Sequence, residues 1–256
     1  MSLVQNAILT FKHRGLKTFV KKILRFIIQL IYLPICRLKI KRFKTDDLDE
    51  LIDFTFTVGF ELIKPVQVRY EIKSLLELLK KEKPKTIVEI GTARGGTLFL
   101  DTRVASEDAV LVSIDLPYTS FSGGYHFWQK SLYKSSALPS QQIHLIQSDS
   151  HDKKTVEEVE RILNGKKVDF LFIDGDHSYE GVKKDFEMYS LLVKKDGIIA
   201  FHDIVDTPPK IDCGVNRLWN EIKLKHKYKE FVEDWNQKYG GMGVIIKKID
   251  KSKITF

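Results

Sequence analysis

The chain has 256 residues, 43% of them hydrophobic, enough for one domain of ordinary size with a substantial core plus an appendage. Its two cysteines, Cys36 and Cys213, exclude a disulfide framework and a cysteine-rich metal site, and point to a reducing, cytoplasmic compartment. The net charge of +8 is lopsided: residues 1–45 hold eleven Lys/Arg and no Asp or Glu, and the remaining 31 basic residues (42 less 11) face 34 acidic ones, which excludes a nucleic-acid-binding body.

The first predicted element is a basic N-terminal arm, residues 1–45, ahead of a single domain over 46–256. Within "LKTFVKKILRFIIQLIYLPICRL" (16–38), Phe19, Ile23, Phe26, Ile27, Leu30 and Ile31 recur at three- and four-residue spacings, so a helix there carries an apolar face. The longest uncharged stretch, 26–36, falls short of the roughly 18 to 20 residues needed to span a bilayer. Pro34 is expected to end or kink the helix. The apolar stretch begins too late for a secretory signal and lacks a small-residue cleavage site. Two roles fit the arm: packing on its own domain or on a partner subunit, and lying in a membrane interface with its Lys/Arg against anionic lipid. A homo-oligomer is the expected assembly.

From residue 46, short apolar runs alternate with amphipathic stretches, the signature of βαβ units and a doubly wound, mostly parallel α/β sheet. A helix over 70–83 ends before Pro84, and strand "TIVEI" follows. After the glycines "GTARGG" come a helix from about Gly96, strand "AVLVSID" ending at Asp115, and a long connection over 116–142. Then follow strand "IHLIQSD", helix "KKTVEEVERILN", strand "VDFLFID", helix "YEGVKKDFEMYSLL", turn "KKDG" and strand "IIAFHD". Helix "LWNEIKLKHK" and late strands near 228–232 and 243–248 complete the order. Ligands of such sheets sit beyond the carboxyl ends of the strands. Those ends carry Glu89 with Gly91, Asp115, Asp149, Asp174 and His202-Asp203, an accumulation of acids that helix capping explains only singly.

The glycine loop reads Gly91-x-x-x-Gly95-Gly96, with Ala93 where the dinucleotide fingerprint needs glycine. Glu89 beside it is unfavourable for a pyrophosphate and suits a cofactor with a cationic end, such as the sulfonium and ammonium of S-adenosylmethionine. Asp115 occupies the place where an acid hydrogen-bonds a ribose diol, a device that NAD enzymes share. The glycines are expected to make room for that cofactor.

With "VSIDLP", "IQSDSHD", "VDFLFIDGDHSYEGVKKDFEMY" and "GIIAFHDI", the loop "VEIGTARGGTLF" resembles the class I S-adenosylmethionine-dependent methyltransferases. The resemblance extends to their metal-dependent O-methyltransferase branch, which includes the catechol type, the macrolide-sugar O-methyltransferases and the cephalosporin-hydroxylase-like proteins. It covers roughly residues 60–250 and implies a Rossmann-like seven-stranded sheet. It implies that Glu89, Gly91, Thr92, Arg94, Gly95 and Gly96 surround the methionine end of S-adenosylmethionine, that Asp115 holds the ribose, and that Ser148 and Asp149 lie against the adenine.

In the resembling families an acidic pair at the positions of Asp174 and Asp203 binds a divalent cation that receives the substrate's hydroxyls. Hard oxygen ligands suit Mg²⁺. The relatives carry an acid before the last Asp or an Asn after it. This chain has His202 and Ile204 there, and histidine shifts the preference towards Mn²⁺, Fe²⁺ or Zn²⁺. The expected metal ligands are Asp174, His202 and Asp203. His177, near neutral in its titration, is the expected base beside Asp174, against a capping role in "GDHSYEG"; His151 and Asp176 are expected in lesser polar roles. The 116–142 connection, with Gly123-Gly124 among Tyr118, Phe121, Tyr125, Phe127, Trp128 and Tyr133, suits a lid over adenine or acceptor, or an oligomer contact. The expected activity is O-methylation, assisted by Mg²⁺ or Mn²⁺, of a hydroxyl on a sugar or another small polyol-like acceptor. The alternatives are a hydroxylase-like or NAD-dependent oxidoreductase on the same fold, and a non-catalytic membrane-associated relic.

Overall fold

In the computed structural model, residues 16, 20, 23–24, 27–28, 30–59, 61–117, 124–208 and 212–247 are described. Continuous apolar runs form the central strands, buried on both faces, while the edge strand β3 is only partly buried: β1 (Thr86–Ile90), β2 (Val110–Asp115), β3 (Gln142–Gln147), β4 (Val168–Ile173) and β5 (Val193–His202) run parallel. With β6 (Lys227–Phe231) and β7 (Met242–Ile246) they make one seven-stranded sheet in the order β3-β2-β1-β4-β5-β7-β6, in which β7 is antiparallel to both neighbours. The chain winds outward from β1 through β3, returns to β4 beside β1, and winds the other way. The switch point lies between β1 and β4.

Successive strand residues face opposite sides, so the sheet separates two apolar clusters. Ile87, Phe170 and Ala200 pack with α1 (Leu48–Thr57), α2 (Arg69–Glu82) and α3 (Gly96–Val104). Val88, Leu171 and Ile199 pack with α5 (Lys153–Leu163), α6 (Tyr179–Tyr189) and α7 (Val215–Ile222). The short α4 (Lys130–Lys134) lies in the long connection after β2.

The predicted order of elements matches the sheet, with three corrections. The helix does not end at Pro34 but continues over residues 30–42, because the lost amide bond and the ring affect one turn of a helix that is anchored further on. There Cys36 and Ile40 are buried, Leu33 and Phe43 pack against the same core, and Arg103 donates to the Ile40 carbonyl at 2.8 Å. Positions Phe19 and Phe26 lie outside the described residues. Second, the predicted turn "KKDG" is the irregular start of β5, where Asp196 takes φ +58° and the register with β4 shifts. Third, Tyr125 and Tyr133 of the 116–142 connection are core residues rather than lid surface, 1% exposed each and packed edge-on at 5.2 Å. Phe127 is exposed, while Tyr118, Phe121 and Gly123 lie outside the described residues. Among the described residues, no helix is long and apolar enough to cross a membrane.

Candidate active site

The loop between β1 and α3 is pinned from three sides. Gly91 donates to the Ile114 carbonyl at 2.8 Å, and Ala93 donates to Asp115 Oδ2 at 2.7 Å. The Tyr133 hydroxyl donates to the Ala93 carbonyl at 3.0 Å. Gly91 has φ +100°, and a Cβ there would lie 2.0 Å from the Asp174 carbonyl oxygen. At Gly95 the Cβ would strike the Tyr133 ring at 2.7 Å, and at Gly96 the Ile63 carbonyl oxygen at 2.3 Å. The glycines are therefore demanded by the protein's own close approaches, to main chain at Gly91 and Gly96 and to the Tyr133 ring at Gly95. What a ligand meets is the resulting tight loop and the free amide groups at the start of α3.

Glu89 lies beneath that loop, fully buried. Ser113 donates to its Oε2 at 2.5 Å, and the Thr92 hydroxyl lies 2.6 Å from that of Ser113. Burial first, and the nearby Asp101 second, push the Glu89 carboxyl well above its usual range. Its Oε1 has no hydrogen-bond partner among the described residues. Asp115 is held from the other side by Leu116 and Gly124 amides at 2.8 and 2.9 Å. Ser148 follows β3 and accepts from Thr155, and Asp149 caps the next turn by accepting from the His151 amide. Arg94 is exposed on the rim of a cavity of about 620 Å³ that also takes in Gln67 and Tyr239. This donor set fits a ligand with a cationic end and a diol.

Across the switch point, the ends of β4 and β5 bring together Asp174, His177 and Asp203, whose potential ligand atoms all lie within 4.8 Å of one another. His177 Nε2 is 3.4 Å from Asp174 Oδ1 and 3.1 Å from Asp203 Oδ2. His202 reaches the same carboxylates from the buried side, its Nδ1 3.2 Å from Asp174 Oδ1 and 3.5 Å from Asp203 Oδ1. His202 is 5% exposed, its Nε2 has no partner among the described residues, and it lies outside the compact group of three. The sequence expectation gave the ligand role to His202 and the base role to His177; in the geometry His177 stands where a third ligand would.

Charges compensate within the cluster. Hydrogen bonds donated to Asp174 and then to Asp203 raise His177 to about 10. Burial opposes charge on His202, but Asp174 and Asp203 outweigh it and lift His202 well above its usual value. Burial would raise both carboxyls, and the two imidazoles hold them below the ordinary range instead. The two carboxylates and the two imidazoles thus favour each other's charged forms. The carboxylate oxygens, with the imidazole beside them, also fit a divalent cation.

Three supporting residues escaped the sequence reading. Gln67 donates to Asp174 Oδ2 at 2.6 Å and accepts from Thr97. Glu71, fully buried on α2, accepts from the Gly241 amide at 2.8 Å and from the Gln237 side chain. The Gly240 amide in turn donates to Asp203 Oδ1 at 2.8 Å, holding a residue whose φ is +61°. An acid among the apolar positions Ile72, Leu75 and Leu79 was the available signal for Glu71. His151 and Asp176 have structural duties: His151 Nε2 meets the Gly181 carbonyl and Asp185, and Asp176 accepts from the Ser178 amide.

The family described as "Methyltransferase domain" matches residues 88–204, from β1 to just past Asp203. An uncharacterized protein of Acanthamoeba polyphaga mimivirus is 32% identical over 66% of this chain and 70% of its own length. Tapetum-specific methyltransferase 1 of Arabidopsis thaliana is 32% identical over 48% of each chain, so the match spans about half of that relative. In fold, the chain is similar to the O-methyltransferase TomG from Streptomyces achromogenes, involved in tomaymycin synthesis and solved in complex with SAM. The TM-score is 0.56 at 17% identity, over 81% of this chain and 93% of that one.

Proposed function

The chain belongs to the methyltransferase-domain family and has the class I S-adenosylmethionine-dependent methyltransferase fold; from that premise we propose that it methylates a hydroxyl oxygen. The observation that carries the proposal is the double use of Asp174. Its main chain abuts Gly91 in the cofactor loop, while its carboxylate belongs to the Asp174–His177–Asp203 cluster. A methyl donor held at the loop thus lies next to groups able to hold and deprotonate a nucleophile.

Asp115 binds the ribose diol, the amides at the start of α3 and the unsatisfied Glu89 face the methionine end, and Ser148 with Asp149 borders the adenine. In the transfer the carbon–sulfur bond of the sulfonium breaks as the acceptor oxygen takes the methyl group, leaving S-adenosylhomocysteine and a methyl ether. The hydroxyl proton goes to His177 Nε2. Hydrogen-bonded to both carboxylates, His177 already holds a proton at neutral pH, so its service as a base requires the charge of Asp174 and Asp203 to be engaged elsewhere. A divalent cation, Mg²⁺ or Mn²⁺, would be held by Asp174 and Asp203 and would supply Lewis acidity that lowers the hydroxyl pKa. His177 is then free to accept a proton or to complete the ligand set. The acceptor we favour is a sugar or another small polyol, whose neighbouring hydroxyls can occupy such a cluster together.

Calorimetric titration with S-adenosylhomocysteine, repeated with NAD⁺, each with Mg²⁺ and with EDTA, tests the reading. S-adenosylhomocysteine is expected to bind and NAD⁺ is not. Binding of NAD⁺ alone would refute both the assignment of the loop and the transfer reaction built on it.

A further inference from the structure

The arm is apolar on two opposite faces, and among the described residues only one is packed against the domain. Leu33, Cys36 and Ile40 point into the domain core. Ile23, Leu24, Ile27, Ile31, Ile35 and Leu38 are 40–64% exposed. At about 100° per residue these six fall within ~120° of the helix circumference, roughly opposite the buried three. Surface helices of soluble monomers carry one apolar stripe, turned inward, and a contiguous exposed one marks an interaction site.

The charge around the stripe selects the occupant. Exposed Arg37 and Lys39 flank it on either side by the same helical arithmetic, and Lys41, Arg42 and Lys44 follow at its end. Long basic side chains so placed cover an apolar face with their stems and hold their charges at the level of lipid phosphates. With eleven Lys/Arg and no acid in residues 1–45, a second copy of this arm would meet it with like charge. An anionic bilayer surface meets it with opposite charge and accepts the apolar stripe.

We propose that the helix described over residues 30–42, with the described helical positions before it, docks the domain on anionic lipid bilayers, its inner face fixed to the core and its outer face in the headgroup boundary. The proposal stands apart from the transfer reaction, and its test does not use it.

The test is vesicle flotation of the full chain with phosphatidylcholine alone and with 30% phosphatidylglycerol as a rough starting composition, at low and high salt, beside the triple variant Leu24→Asp, Ile31→Asp, Ile35→Asp. These positions are exposed, so the variant should keep its melting temperature and its S-adenosylhomocysteine affinity. The expected result is binding to anionic vesicles, at least about tenfold weaker on neutral ones and in the variant, and weakened by salt. Absence of binding to anionic vesicles overturns the proposal, as does equal binding by the variant. A dimer by light scattering that the variant abolishes, without vesicle binding by the wild type, overturns it too and assigns the stripe to a second copy.

Discussion

His177 has two carboxylates for neighbours and a side chain that is 45% exposed, so its titration reports the state of the cluster. Its folded value of about 10 lies above the ordinary 6.5. A histidine raised in this way stabilises the fold fully below about 6.5 and loses that contribution as pH rises through about 10. In EDTA, the melting temperature of the wild type should therefore fall more steeply from pH 7 to pH 10 than that of His177→Asn. Solvent screening keeps the effect to about 1 kcal/mol. Saturating Mn²⁺ should shrink the difference between the two proteins, because the proton on His177 and the cation compete for Asp174 and Asp203. Parallel slopes in EDTA would mean that His177 is neutral throughout and free to act as a base unaided.

At the scale of elements, the loop after β1 ties packing to the site, and Gly91 is where the two meet. Gly91→Ala would drive a Cβ to 2.0 Å from the Asp174 carbonyl at φ +100°. Its expected cost exceeds about 3 kcal/mol, with S-adenosylhomocysteine binding lost. Gly165→Ala is the control: φ is +80° but nothing lies within 4 Å, so strain alone costs about 1 kcal/mol and binding survives. Thermal melts and calorimetry on both variants separate crossing from strain; equal losses would remove the crossing argument. The loop and the strand-end acids were legible in the sequence because they depend on local alternation and spacing. Gln67 was not, and Glu71 showed only as an acid among apolar helix positions, since they meet Asp174 and Gly241 from 107 and 170 residues away, and no local pattern names such partners. That the helix continues past Pro34 was not legible for the same reason: it is held by the distant core that seats Cys36 and Ile40.

For the whole molecule, the two faces of the arm predict two different consequences of shortening it. Residues up to 28 contribute only exposed or half-buried side chains among those described. Leu33, Cys36, Ile40 and Phe43 fill the core, and Phe43 stacks on Phe54 with ring centroids 3.8 Å apart. Deleting residues 1–28 should leave the melting temperature within about 1 °C, since surface contributions of this kind are small. Deleting 1–45 should cost about 4–6 kcal/mol of apolar burial, roughly 10–20 °C in melting temperature, and leave Arg103 without the Ile40 carbonyl. Both truncations retain the loop and the Asp174 cluster, so the shorter deletion should bind S-adenosylhomocysteine as the full chain does while losing most of its affinity for anionic vesicles. Stability would then reside in the inner face and attachment in the outer one. A stability loss on removing 1–28 as large as on removing 1–45 would instead show that the outer stretch is itself part of the folded body.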